Sequence, residues 1–128
     1  MAVAAMLAPI GCSLGADDEP QPVSGVPKQI AATVDRLGQA IADRDFAEVC
    51  DQLFTASARK RAGGRQCAAQ LGSAAEDVRG PTIEIRGIDV NGNRATVNVA
   101  TKAEGQARVT DTLQLRRQGA RWRIEALG

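Results

Sequence analysis

Residues 83–99 read IEIRGIDVNGNRATVNV, and this stretch decides the fold. Apolar and polar residues alternate on both sides of Asn91-Gly92, which is the dipeptide most typical of a two-residue β-hairpin turn. The alternation changes phase at Gly87. A β-bulge at Arg86 and Gly87 places the apolar residues before and after it on one face of the hairpin. The stretch therefore predicts two antiparallel strands that share one apolar face.

This hairpin also has a predicted register. If Asn91-Gly92 forms the loop, Val90 pairs with Asn93. Counting the bulge as one position then gives three apolar pairs, which are Ile88 with Ala95, Ile85 with Val97 and Ile83 with Val99. A shift of one residue would move these side chains to the polar face, so the apolar pattern favours this register.

Two further strands follow the hairpin. A third strand is expected over Ala107–Arg117, and Gly119-Ala120 forms a second two-residue loop with glycine first, as a type II′ turn requires. The loop predicts three pairs with the fourth strand, which are Leu115 with Ile124, Leu113 with Ala126 and Arg117 with Trp122. The second half of the chain is therefore expected to form a four-stranded antiparallel meander with one apolar face.

Helices are predicted before the sheet. Apolar residues at steps of three and four predict a helix over Val26–Asp43. Asp45 and Glu48 have capping-box spacing and mark the start of a second helix, which Thr55–Arg61 extends by a turn. The apolar residues that form the buried sides of these two helices are Ile30, Val34, Leu37, Ile41, Phe46, Val49, Cys50 and Leu53.

A third helix is expected after a break at Gly63-Gly64. It covers Arg65–Val78 and ends before Gly80-Pro81, with Cys67, Leu71 and Val78 on its buried side. Apolar helix stripes that cover the apolar face of a sheet define an α+β domain.

The predicted order is helices first, then a bulged antiparallel meander whose last strand contains a Trp. This order resembles the nuclear transport factor 2-like cone fold. The segments GNRATV at 92–97 and RWRI at 121–124 are similar to the "GDRATV … DGRWRI" ending of small secreted actinobacterial lipoproteins with this fold. The resemblance covers residues 28–128 and implies a curved sheet whose helices can enclose a pocket. Related proteins include ketosteroid isomerase, scytalone dehydratase and SnoaL-like cyclases, whereas others only bind ligands or partners, so the resemblance leaves the function open.

The N-terminal segment predicts export. Residues 1–11 (MAVAAMLAPIG) carry no charge and end in small residues directly before Cys12, as in a signal peptide with a lipobox-like end. Cys12 would then be diacylated and hold the protein on the outer face of the cell membrane. Lys28 is the first basic residue, so this signal peptide lacks a basic start, which a start codon further upstream would explain. The alternative is a frayed apolar N-terminus with an ordinary cysteine.

Residues 12–27 are expected to form a disordered linker between the lipid anchor and the domain. They are rich in Gly, Pro, Ser and acidic residues, with little apolar surface to bury. An exported protein folds in an oxidising compartment. With Cys12 used for lipid, Cys50 and Cys67 remain on two adjacent helices, and we expect them to form a disulfide rather than two buried free thiols.

Composition excludes several chemistries. The chain has no His and no Tyr, which excludes a His general base, a Ser-His-Asp triad and a Tyr oxyanion donor. No cofactor motif and no plausible metal site occur in the sequence. The net charge of +1 argues against nucleic acid as the main partner. Two basic clusters, at residues 59–65 and 116–123, are interpreted as solvated charge, or as a surface facing anionic lipid.

Asp111 is the residue that departs from the apolar pattern. A turn centred on Gly105 pairs Val99 with Asp111 and places the carboxylate on the inner face between Val109 and Leu113. A buried carboxylate there could act as a base, hold a ligand cation, or serve structure by pairing with Arg36 or Arg44. The ligand-pocket candidates are therefore Asp111, Val99 and Trp122.

Two functions follow from these observations. The first is a membrane-tethered, non-enzymatic domain that binds a small ligand or a protein. The second is a SnoaL-like isomerase, cyclase or dehydratase that uses Asp111 as acid or base. The missing His and Tyr favour the first.

Overall fold

The computed structural model describes residues 25–127, where helices precede a four-stranded sheet. The helical part comprises α1 (Gly25–Ala42), α2 (Phe46–Glu48), a π-helical segment (Val49–Leu53), α3 (Ala56–Arg61), a 3₁₀ turn (Gly64–Gln66) and α4 (Cys67–Ala74). The strands are β1 (Thr82–Asn91), β2 (Arg94–Lys102), β3 (Val109–Gln118) and β4 (Arg121–Leu127), antiparallel in the order β1-β2-β3-β4. The predicted α+β class and meander are confirmed. The predicted signal peptide, Cys12 and the linker up to residue 24 lie outside the described residues.

The helices differ from the prediction at two ends. α1 begins at Gly25, one residue before the predicted start at Val26, so the expected linker ends before this helix rather than at residue 27. α4 ends at Ala74 rather than at Val78, because after Ala75 the N–H groups of Glu76 and Val78 bond carbonyls three residues back, those of Ser73 and Ala75. No helix within residues 25–127 is both long enough and apolar enough to cross a membrane.

Side-chain caps begin the two short helices. The cap at Asp45 was predicted, whereas residues 55–61, expected to extend the second helix, form a separate helix that Thr55 caps. The Asp45 carboxylate accepts a hydrogen bond from the N–H of Glu48 at 3.2 Å, and the Thr55 hydroxyl accepts one from the N–H of Ala58 at 3.0 Å. Each cap stabilises its helix by about 1 kcal/mol. The predicted break lies at Gly63, whose φ of 120° is a conformation that other residues rarely adopt.

The first hairpin has the predicted bulge but a different register. The register shifts between Ile85 and Gly87, as expected, but Asn91 pairs with Arg94 and the loop is Gly92-Asn93. Every pair therefore moves by two residues, to Val90–Ala95, Ile88–Val97, Ile85–Val99 and Ile83–Thr101. Gly92, with φ of 64°, takes the first loop position because a type II′ turn needs a positive φ there.

The second and third pairings follow the prediction closely. Val99 pairs with Asp111, and the flanking pairs between β2 and β3 also have the expected register. Between β3 and β4, Leu115 faces Ile124 and Arg117 faces Trp122, as predicted. The expected pair of Leu113 with Ala126 is wrong.

Leu113 faces Leu127 because a second bulge shifts the register at Glu125. Next to this bulge, the residues just before α3 pair with the free edge of β4. The N–H of Thr55 donates to the Ile124 carbonyl at 2.9 Å, and Phe54 forms a parallel bridge with Ile124. The Glu125 carboxylate accepts a hydrogen bond from the Thr55 hydroxyl.

The core lies between α1, the π-helical segment and the inner face of the sheet, by which we mean the face that the helices cover. The residues buried there include Ile30, Val34, Leu37, Val49, Leu53, Val97, Val99, Leu113, Leu115, Trp122 and Ile124. The disulfide between Cys50 and Cys67 is present and buried, with a Cα–Cα distance of 6.1 Å. It joins the π-helical segment to the start of α4 and so confirms the predicted pairing.

Candidate functional site

A mostly apolar cavity of about 310 Å³ lies between the helices and the inner face of the sheet. Within residues 25–127, its only polar lining residues are Asp111 and Thr101. The apolar lining residues are Leu37, Ile41, Phe46, Val49, Phe54, Leu71, Ala74, Ala75, Val78, Ile83, Val99, Leu113 and Leu127.

One wall of the cavity is α4 with the turn that follows it. The disulfide to Cys50 holds the first residue of this helix, Cys67. At its other end, the Arg44 guanidinium donates to the carbonyls of Ala75 at 2.9 Å and Val78 at 3.3 Å. Because both ends of the wall are attached to the rest of the domain, the space behind it does not depend on α4 packing alone.

Asp111 lies at the mouth of this cavity. Its pairing with Val99 places it on the inner face, as predicted, but its side chain is exposed, so the predicted burial is wrong. Exposure falls along β3 from 54% at Val109 to 3% at Leu113. The helices therefore cover only the second part of β3, and Asp111 lies where the cover ends.

The predicted arginine partners of Asp111 are engaged elsewhere. Arg36 forms an ion pair with Glu48, and Arg44 donates to the two carbonyls of the cavity wall. Within residues 25–127, no Lys or Arg forms an ion pair with Asp111. One carboxylate oxygen of Asp111 accepts the N–H of Thr112 at 2.8 Å.

The other two pocket candidates have different positions. Val99 lines the cavity beside Asp111. Trp122 is buried in the core and is not among the lining residues. It pairs with Arg117, six residues along β3 from Asp111, which corresponds to about 20 Å of strand. Its carbonyl accepts the Thr33 hydroxyl of α1 at 3.3 Å.

Sequence reasoning missed the contribution of the helices to this site. Ile41, Leu71 and Val78 were expected to be buried, yet each is only half-buried and lines the cavity. Leu127, also a lining residue, is 61% exposed. An apolar stripe looks the same in sequence whether it faces a filled core or a cavity, so periodicity carried no signal for these residues.

Few of the lining residues can exchange protons or donate hydrogen bonds. Among the described residues that line the cavity, Asp111 is the only titratable one. The Thr101 hydroxyl, which donates to the Val109 carbonyl at 3.5 Å, is the only side-chain donor among them. General acid–base catalysis usually needs a second group to stabilise the charge that develops. In the described part of the chain, no group of three or more His, Cys, Asp or Glu side chains could hold a metal ion.

Comparison with solved structures shows the fold. The chain is similar to an NTF-2 like protein of unknown function from Silicibacter pomeroyi, with a TM-score of 0.60, 20% identity, and coverage of 78% of this chain and 90% of that one. A de novo designed NTF2 fold protein also matches, with a TM-score of 0.46 and 20% identity. This match covers 77% of this chain and 80% of the designed protein. A SEC-C motif containing protein from Rhodopseudomonas palustris matches at 0.49, with 13% identity and 79% and 88% coverage. The first of these likenesses, together with the order of helices and strands, shows an NTF2-like α+β fold.

No known family model matches the sequence, and no curated protein matches it.

Proposed function

We propose that this protein is a lipid-anchored, extracytoplasmic binding protein whose cavity takes a small, mostly apolar ligand without chemical conversion. The observation that carries this proposal is the cavity of about 310 Å³, in which Asp111 is the single charged residue among the described lining residues. A volume of this size lies at the lower end of the range for ligand pockets.

The lining also indicates the chemistry of the ligand. An apolar body would contact Leu71, Val78 and the inner face of the sheet, where each buried methylene contributes about 0.8 kcal/mol. A cationic or hydrogen-bond-donating group would lie at the mouth, against the Asp111 carboxylate. We therefore infer an amphiphilic amine or a similar molecule.

Calorimetric titration with three molecules of one chain length tests this inference. Octylamine should bind more tightly than octanol, and octanoate should bind most weakly because its charge repels Asp111. Equal affinities for the amine and the carboxylate would contradict the role of Asp111.

Two variants, one just after α4 and one within it, test the cavity itself. Ala75→Phe places a ring among the lining residues and should abolish octylamine binding. Ala69→Phe is the matched control, since Ala69 is exposed in α4, about one and a half turns before Ala75, and is not a lining residue. Unchanged binding by Ala75→Phe would show that the amine binds elsewhere.

A second candidate is a SnoaL-like isomerase, cyclase or dehydratase that uses Asp111 as acid or base. It is favoured by one observation, the position of this carboxylate at the mouth of an apolar cavity. Chemical conversion of a bound ligand by the wild-type chain, lost in Asp111→Asn, would establish it in place of simple binding.

A further inference from the structure

The outer face of the sheet carries three arginines in one row. Arg94 on β2 pairs with Arg116 on β3, and Arg116 pairs with Arg123 on β4. Directly opposed side chains lie about 5 Å apart at their Cβ atoms, and like charges in such positions destabilise a sheet. Within residues 25–127, none of the three forms an ion pair with a carboxylate.

This row continues around the edge of β4 to the helices. The Arg123 guanidinium donates to the carbonyls of Asp51 and Phe54, both at 3.4 Å, and so reaches over the open edge of the strand. There it lines a surface depression of about 440 Å³ with three cations of the α3 region, which are Arg59, Lys60 and Arg65. We call Arg94, Arg116, Arg123, Arg59, Lys60 and Arg65 the basic strip.

The strip concentrates positive charge that the whole chain does not have. A second depression, of about 90 Å³, is lined by Arg94, Arg116 and the acidic Glu125, and the larger one is lined by the acidic Asp51. Six basic and two acidic residues leave +4, against +1 for all 128 residues. Asp51 is paired with Arg59 at 3.3 Å, and the Glu125 carboxylate binds the Thr55 hydroxyl. The structure thus unites two basic clusters that lie more than fifty residues apart in sequence.

We propose that the basic strip is a docking surface for a membrane rich in anionic phospholipid. The strip is an open surface that extends over three strands and the α3 region, which suits the many phosphate groups of a membrane surface better than one free phosphate. Nucleic acid is less suited, because all three aromatic residues of the chain, Phe46, Phe54 and Trp122, are buried and cannot stack on bases.

This surface is separate from the cavity, and its binding does not require the lipid anchor. If Cys12 is lipidated, the same contact would also orient the domain against the bilayer. Each cation near an anionic membrane strengthens binding several-fold, and salt weakens this attraction.

Vesicle co-sedimentation tests the proposal with the full chain carrying Cys12→Ser. It should bind vesicles of phosphatidylglycerol and phosphatidylcholine more tightly than vesicles of phosphatidylcholine alone, and the difference should disappear in high salt. The triple variant Arg65→Gln, Arg94→Gln, Arg116→Gln should lower affinity for anionic vesicles roughly a hundredfold. These three side chains form no hydrogen bond or ion pair in the described structure, so the variant should fold normally, which circular dichroism checks.

The matched control removes the same charge outside the strip. Arg36→Gln, Arg86→Gln, Arg108→Gln replaces three exposed arginines that are paired with Glu48 or Glu84. This variant should retain most of the binding. Equal losses in the two triple variants would show a response to net charge alone and overturn the proposal.

Two further results would also overturn it. One is full displacement from vesicles by inorganic phosphate at millimolar concentration, which would show a site for a free anion. The other is strip-dependent binding to heparin without binding to vesicles, which would show a polyanion as the partner.

Discussion

Val99 and Asp111 lie directly opposite each other on β2 and β3, yet Val99 is 2% exposed while Asp111 is exposed at the mouth of the cavity. The boundary between the filled core and the open cavity therefore passes between two paired residues. Because both residues line the cavity, an apolar wall and a charged group adjoin within one cross-strand pair. This relationship is the basis of the proposed recognition of an amphiphilic cation.

Asp111→Asn tests whether the carboxylate serves binding or structure. Since it is exposed and forms no ion pair in the described residues, the free energy of unfolding should change by less than about 0.5 kcal/mol. Octylamine affinity should fall roughly tenfold, which corresponds to about 1.4 kcal/mol, while octanol affinity should stay the same. Urea unfolding and calorimetric titration measure the two effects. A large loss of stability would instead assign Asp111 a structural role.

The strand pairing could be predicted from the sequence wherever the alternation of apolar and polar residues allows only one register. The bulge before Gly87 and the pairing of Val99 with Asp111 follow from the need to keep apolar residues on one face. The first hairpin was misjudged by two residues, because a shift of two preserves the alternation. Only the backbone conformation of the loop, with its positive φ at Gly92, decides between the two registers.

The exposure of Asp111 could not be predicted from its strand. It depends on where the helices stop covering β3, and the apolar spacing that continues to Val78 suggested a longer α4 than the one ending at Ala74. The pairing of Cys50 with Cys67 was predictable because the chain has three cysteines and one was assigned to the lipid. The basic strip joins distant segments, so its continuity is visible only in the folded chain.

Thr55→Val tests the junction between α3 and β4. Thr55 is 1% exposed, and its hydroxyl both caps α3 and donates to the Glu125 carboxylate. Valine has the same shape without the hydroxyl, so the unfolding free energy should fall by about 2 kcal/mol. Thr96→Val, at an exposed site on the outer face of β2, is the control and should have little effect. Equal stability of the two variants in urea would show that the cap contributes nothing.

Cys12→Ala tests the lipid anchor. When the chain is expressed in bacteria with a complete signal sequence, the wild type should partition into detergent and gain the mass of a diacylglycerol group at Cys12. The Ala variant should lose both properties. Membrane retention could still persist through the basic strip, so extraction in high salt separates the two contributions. Retention of the Ala variant in high salt would contradict lipidation.

Thiol counting tests the disulfide between Cys50 and Cys67. The unlipidated chain has three cysteines, so one thiol, that of Cys12, should react when the protein is denatured without reductant. Three reactive thiols would contradict the bond. The double variant Cys50→Ala, Cys67→Ala should lower the unfolding free energy by about 3 kcal/mol, because the bond closes a loop with a sequence separation of 17.

The same bond should also affect the cavity, because it attaches the first residue of α4 to the rest of the domain. Without it, the contacts of Arg44 with the Ala75 and Val78 carbonyls hold the wall at the far end alone. Ligand binding would then have to order a more mobile α4, and this costs conformational entropy. The octylamine affinity of the double variant should therefore fall, even under conditions where the variant is fully folded. Cys12→Ser, which leaves the disulfide intact, should bind octylamine like the wild type. Full affinity in the folded double variant would show that packing alone positions α4.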